Sequence, residues 1–114
     1  MVIDLDVAAE ARHFGLDPAL IQAVVIAEGD IVKAVQCSIP TVTTREQAIE
    51  ITCRSAVHAM LDFILTNDIM DGASLKDEFV QFWAKRWAPQ GAKNDPTNLN
   101  RFWASNVLNH WTAV

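Results

Sequence analysis

One stretch, Leu16 to Gln36, constrains this chain more than any other. It reads Leu-Asp-Pro-Ala-Leu-Ile-Gln-Ala-Val-Val-Ile-Ala-Glu-Gly-Asp-Ile-Val-Lys-Ala-Val-Gln. Asp17 can cap the free amides of a first helical turn, and Pro18 suits the first helical position, where no N–H is needed. Leu20, Ile21, Ala23, Val24, Val25, Ile26 and Ala27 then make the helix apolar almost all round. A helix with so little polar surface belongs inside the fold. Glu28 closes it, and Gly29 can release the chain. An acid on the last turn of a buried helix is either a capping or ion-paired group or a working proton donor.

The chain around that acid has 114 residues, so residues 1–114 are expected to form a single domain. No apolar run approaches the roughly 18 residues that span a bilayer, so no transmembrane segment is expected. The start, Met-Val-Ile-Asp-Leu-Asp, has no basic region ahead of an apolar one and does not read as a signal peptide. The net charge of -5, with basic residues scattered and only Lys85-Arg86 adjacent, argues against nucleic acid as the partner. Cys37 and Cys53 lie outside any CxxC, and His13, His58 and His110 do not complete a zinc spacing. The cysteines read as buried thiols or as a disulfide pinning the loop between two helices; no metal or other cofactor is implied.

Periodicity lays out the rest. Residues 4–14 read as a short amphipathic helix with Leu5, Val7, Ala8, Ala11 and Phe14 inward, Asp4 or Asp6 as cap and Gly15 as stop. Residues 31–35 fit either another helical turn or a short strand. Pro40 and the hydroxyl-rich residues around it mark a loop. Thr44-Arg45-Glu46-Gln47 is a capping box opening a long helix over about 45–66, with Glu50 and Arg54 spaced for an i,i+4 pair. Asn67-Asp68 and Asp71-Gly72 bracket a turn. A helix over about 75–87 follows, started by Ser74 or Asp77, with Leu75, Phe79, Val80, Phe82, Trp83 and Trp87 on its apolar side. Asp95-Pro96 starts a last helix over about 96–111, carrying Leu99, Phe102, Trp103, Val107, Leu108 and Trp111. The expectation is one all-α domain of about five helices with little or no sheet.

Glu28 is the leading candidate for chemistry. Set in an apolar wall beside a cleft, it would be denied the water that favours its charged form, as a general acid requires. Such an acid protonates a glycosidic oxygen as the bond breaks. Ordinary two-acid hydrolysis needs a second carboxylate, for which Asp30, Asp62 and Asp95 are the candidates, Asp95 doubling as a plain N-cap. His58 and Asp62 share a face of the long helix and suit a polar pair. Trp87, at a helix end beside a loop, can stack on a sugar ring. Asn94 and its neighbours Asn98 and Asn100 carry amides suited to sugar hydroxyls as well as to caps and turns.

The order of these pieces resembles the lysozyme-like superfamily, and within it the lytic transglycosylases. That branch carries a helix reading roughly Asp-Pro-x-Leu-x-x-Ala-[apolar]-[apolar]-x-x-Glu-Ser. Asp17 to Glu28 matches it in register over twelve residues, with Gly29 where Ser is usual. The family's Gly-Leu-Met-Gln run before a Pro has a counterpart in Val35-Gln36-Cys37-Ser38-Ile39-Pro40, without the Gly-Leu-Met. Asp95-Pro96-Thr97-Asn98-Leu99 looks like the family's Asp-Pro-x-x-Asn-[apolar] element near the end. The string from Arg86 to Pro96 is similar to phage-borne members, which points to a phage or prophage source. The resemblance implies cleavage of the peptidoglycan bond between N-acetylmuramic acid and N-acetylglucosamine. Glu28 would be the acid, with Gln36, Ser38, Trp87 and Asn94 along the glycan, at the bacterial wall after release from a host cytoplasm or from a virion. With one acid, Glu28 would also serve as base while the muramic 6-hydroxyl closes an anhydro ring. Glu28 and Gln36 are only eight residues apart, where larger relatives insert a sugar-binding lobe, so the chain would be a pared-down member. The alternative expectation is a catalytically inert lysozyme-like module that binds glycan or serves in a phage virion or tail.

Overall fold

The computed structural model describes residues 2–66, 75–93 and 95–112. Among these the chain forms six α-helices and no strand: α1 Leu5–His13, α2 Pro18–Glu28, α3 Ile31–Gln36, α4 Arg45–Thr66, α5 Leu75–Trp87 and α6 Trp103–Thr112, with a 3-10 turn at Leu99–Phe102. The radius of gyration, 13.6 Å, is close to the about 13 Å of a tightly packed chain of this length. One core joins all six helices, and α2 is its centre: Ala19 through Val25 are all buried. As its composition requires, α2 is covered on several sides, by α1, α4 and above all α6.

The local signals act as expected at most boundaries. The Asp17 carboxylate accepts from the Ala19 amide at 2.9 Å. Gly29 takes a left-handed φ of 75° at the end of α2, a conformation that glycine adopts without Cβ strain. The capping box closes in both directions: the Gln47 amide donates to Thr44 Oγ1 at 3.2 Å, and the Thr44 amide donates to Gln47 Oε1 at 3.2 Å. Glu50 and Arg54 pair at 2.8 Å. Residues 31–35 resolve as helix, because Asp30 caps them by accepting from the Lys33 amide at 3.2 Å.

Three expectations are corrected. The last helix does not begin at Pro96. Asn98 has a φ of 55°, which no α-helix tolerates, so the chain makes a turn and a 3-10 segment before α6 starts at Trp103. Asp95 still caps, accepting from the amides of Leu99 and Asn100 at 2.8 and 2.9 Å. This break turns Leu99 and Phe102 outward, 63% and 45% exposed. Leu5, at the edge of α1, is likewise exposed, and so is Ile64 near the end of α4. His58 and Asp62 form no pair: Asp62 accepts from Arg86 Nη1 at 2.6 Å across to α5, and His58 faces solvent. The turn expected over residues 67–72, and Ser74 as a helix start, lie outside the described residues. Both cysteines are free thiols, Cys37 exposed and Cys53 fully buried. Burial, with Glu10 adding repulsion, pushes the Cys53 thiol up to about 12.

Candidate functional site

The site grows from the way tryptophans hold α2. An indole carries one N–H donor, and a buried donor must find an acceptor. Trp111, near the end of α6, donates to Asp17 Oδ2 at 3.1 Å. Trp103, at the start of α6, donates to Glu28 Oε1 at 2.7 Å, and Trp87, the last residue of α5, donates to the same oxygen at 2.8 Å. Helix α6 therefore runs antiparallel to α2, with an indole bond at each end. The remaining tryptophan, Trp83, donates to Ser55 Oγ on α4 at 2.9 Å.

The rings fix one another. Trp83 is fully buried, and the ring centroids of Trp87 and Trp103 lie 5.7 and 5.4 Å from it, both edge-on. Phe79 stacks on the Trp83 ring at 5.9 Å. Such contacts are each worth about 0.5–1.5 kcal/mol beyond the area buried. They leave the two indole N–H groups that converge on Glu28 little freedom. The carboxyl is thus positioned before any ligand arrives.

The two oxygens of Glu28 differ. Oε1 accepts both indole bonds. Oε2 has no partner among the described residues and is not a buried orphan atom, so it reaches solvent. Glu28 as a whole is half-buried. The arrangement presents a single carboxyl oxygen, at a fixed place, to whatever approaches the surface. Proton delivery or uptake would occur there.

Beside the clamp lies a groove of about 220 Å³ lined by Ser38, Ser55, Arg86 and Trp87, with Val35 and Ile39 beneath. Of the residues expected along a ligand, Ser38 and Trp87 thus come together, and Trp87 joins the groove to Glu28. Glu28 itself does not line the groove. Gln36 is engaged within its own loop, where its Nε2 donates to the Val42 carbonyl at 2.7 Å and ties down the segment after α3. Asn94 lies outside the described residues. Each candidate for a second carboxylate is held elsewhere: Asp30 on the Lys33 amide, Asp62 on Arg86, and Asp95 on the Leu99 and Asn100 amides.

Sequence reasoning placed Trp103 in the core, where it is, and missed that its N–H reaches Glu28. The available signal was a donor count: four indoles in a helical protein need four acceptors, and acids at helix ends are natural ones. Among the described residues no group of His, Cys, Asp and Glu could hold a metal ion, and no helix is long and apolar enough to cross a membrane. No family model, no curated protein and no solved structure matches this chain.

Proposed function

We propose that this chain acts on peptidoglycan glycan strands as a small glycosidase or lytic transglycosylase, with Glu28 as its acid. The observation that carries this reading is the clamp: one carboxyl oxygen held by two indole N–H groups, the other open to solvent beside a groove that contains Trp87. Fixing a reacting group ahead of binding removes an entropic part of the barrier. The sugar ring would stack along Trp87, with the hydroxyls of Ser38 and Ser55 facing its polar edges. Glu28 Oε2 would protonate the leaving glycosidic oxygen and then take the proton of the muramic 6-hydroxyl as that oxygen closes on C1. This route uses one carboxyl, in keeping with Asp30, Asp62 and Asp95 being engaged elsewhere. Neither a metal nor a cofactor takes part in it.

Glu28→Gln is the informative variant. Glutamine retains an oxygen for both indoles but carries no acidic proton, so the fold is kept and the chemistry removed. Purified cell walls treated with wild type should lose turbidity and release muropeptides, while Glu28→Gln falls to background. Equal clearing by the two proteins ends the catalytic reading.

A second reading has its own support. Glu28 does not line the groove that holds Ser38 and Trp87, and Gln36 is tied to its own loop. Both features suit an inert lysozyme-like module that binds glycan, with Glu28 as a brace between helices. Retention on sedimented peptidoglycan without released muropeptide supports that reading. Absence of both retention and release removes the two together.

A further inference from the structure

A second groove, about 240 Å³, lies between the end of α5 and the 3-10 turn and start of α6. Its walls carry Lys85 and Arg101 together with the amides of Gln81, Gln90 and Asn100, and no acid among the described residues. Ala88 and Ala104, each next in the chain to a clamp tryptophan, also line it.

The chain is acidic, at -5 overall, and Arg45, Arg54 and Arg86 are neutralised by Asp4 and Asp6, by Glu50 and by Asp62. Lys85 and Arg101 make no ion pair among the described residues. Arg12, Lys33, Lys76 and Lys93 also lack an ion pair among the described residues; Lys85 and Arg101 differ in lining one groove together. The Arg101 guanidinium carbon lies 4.6 Å from the centre of the neighbouring, exposed Phe102 ring, within range of a cation–π contact. The nearest acid in sequence, Asp95, is turned to the amides of Leu99 and Asn100. Asn100 Nδ2 donates to the Pro89 carbonyl at 2.9 Å, which holds the side chain in position and leaves its Oδ1 as an acceptor.

We propose that this groove binds a short peptide through its free carboxylate. A guanidinium beside an ammonium matches a carboxylate, and side-chain amides pair with the N–H and C=O groups of a peptide chain. The proposal rests on the reading that the chain works at peptidoglycan, whose glycan strands bear short peptides with free carboxylates.

The test uses a muramyl dipeptide with a free terminal carboxylate, the same compound amidated there, chitotetraose and inorganic phosphate. Each is titrated into wild type and into the double variant Lys85→Gln, Arg101→Gln by amide-resolved NMR. Both replaced side chains are exposed, and an unchanged spectrum outside the groove verifies folding. Wild type should bind the free carboxylate about tenfold more tightly than the amidated form, as charge-assisted pairing predicts. That preference should shrink with salt and vanish in the double variant, while chitotetraose binding is unchanged. Equal affinity for the two dipeptides, a preference that survives in the double variant, or phosphate binding as tight as the peptide overturns the assignment. Sugar binding and Glu28-dependent wall cleavage without carboxylate preference would discard this groove alone. Carboxylate preference without either would keep the groove and discard the peptidoglycan reading.

Discussion

The two ends of α2 are held by the same chemistry under opposite electrostatic conditions. At the start, Asp17 sits where the helix's unpaired amides favour negative charge. It caps Ala19 with one oxygen and accepts from Trp111 with the other. At the finish, Glu28 sits at the negative end of the helix dipole, where the carbonyls of Val25, Ile26 and Glu28 already accept from the Gly29 and Asp30 amides. Two indoles converge on one of its oxygens, and the other is left open. The first acid satisfies the helix that carries it. The second does nothing for its own helix and is held from outside by two large side chains in a packed aromatic cluster. A residue placed against its local preference, with the surrounding fold arranged to keep it there, is the kind that function retains.

The largest expected effect breaks the second end. Glu28→Ala strips two indole donors of their acceptor and should lower the unfolding free energy by about 3 kcal/mol, read as a shifted urea midpoint with unchanged slope. Glu28→Gln should cost no more than about 1 kcal/mol, because an oxygen acceptor remains. If the two variants are equally unstable, the indole bonds are not what anchors this end. At the first end, Asp17→Ala should cost about 1.5 kcal/mol, the worth of a cap plus one exposed-edge bond. A loss larger than that of Glu28→Ala would reverse the comparison.

A third expectation concerns α4, which packs along α2 between its two ends. Cys53 titrates at about 12 in the fold against an unfolded value near 9. The unfolded chain therefore releases its proton first. Stability is intact below about pH 9 and declines from there toward about pH 12, by roughly 1.4 kcal/mol at pH 10. Cys53→Ala should flatten that decline in a pH series of melts. A thiol reagent at pH 8 should modify Cys37 in the native protein and reach Cys53 only in denaturant, since thiolate and access are both required.

The smallest effect lies beside the first end. Gln22 on α2 contacts Asp4, and Asp4 and Asp6 pair with Arg45 at 2.8 and 2.7 Å. The hydrogen bond from Arg45, opposed by partial burial, holds the Asp6 carboxyl below its ordinary value of 3.8. A depressed acid contributes stability above that value and loses it as pH falls through the lower folded one. The pair is about half exposed, so the contribution is screened to a few tenths of a kcal/mol. Asp6→Asn should remove it, and with it a small part of the acid limb of the stability curve.

The elements that could be read before folding are those with local causes. The caps at Asp17 and Thr44, the stop at Gly29 and the stripe of α5 depend on residues within one or two turns. The start of α6 escaped because Asn98 is compatible with a helix by composition and adopts a left-handed turn here instead. The pairing of Asp62 was misplaced for a similar reason: His58 is its neighbour along the helix, and Arg86 reaches it from another helix. Glu28 stood out as an acid at the end of an apolar helix, but Trp103, 75 residues away, could not be assigned to it.

The order of helices, the burial of α2 and the position of an acid at its end were determined by sequence alone, because each follows from side-chain polarity repeating at helical spacing. Which oxygen of that acid is locked, which tryptophans lock it, and the meeting of Lys85 with Arg101 in one groove were decided by tertiary structure. Hydrogen bonds and charge pairs act over a few ångströms in space, and only packing decides which distant residues come within that range.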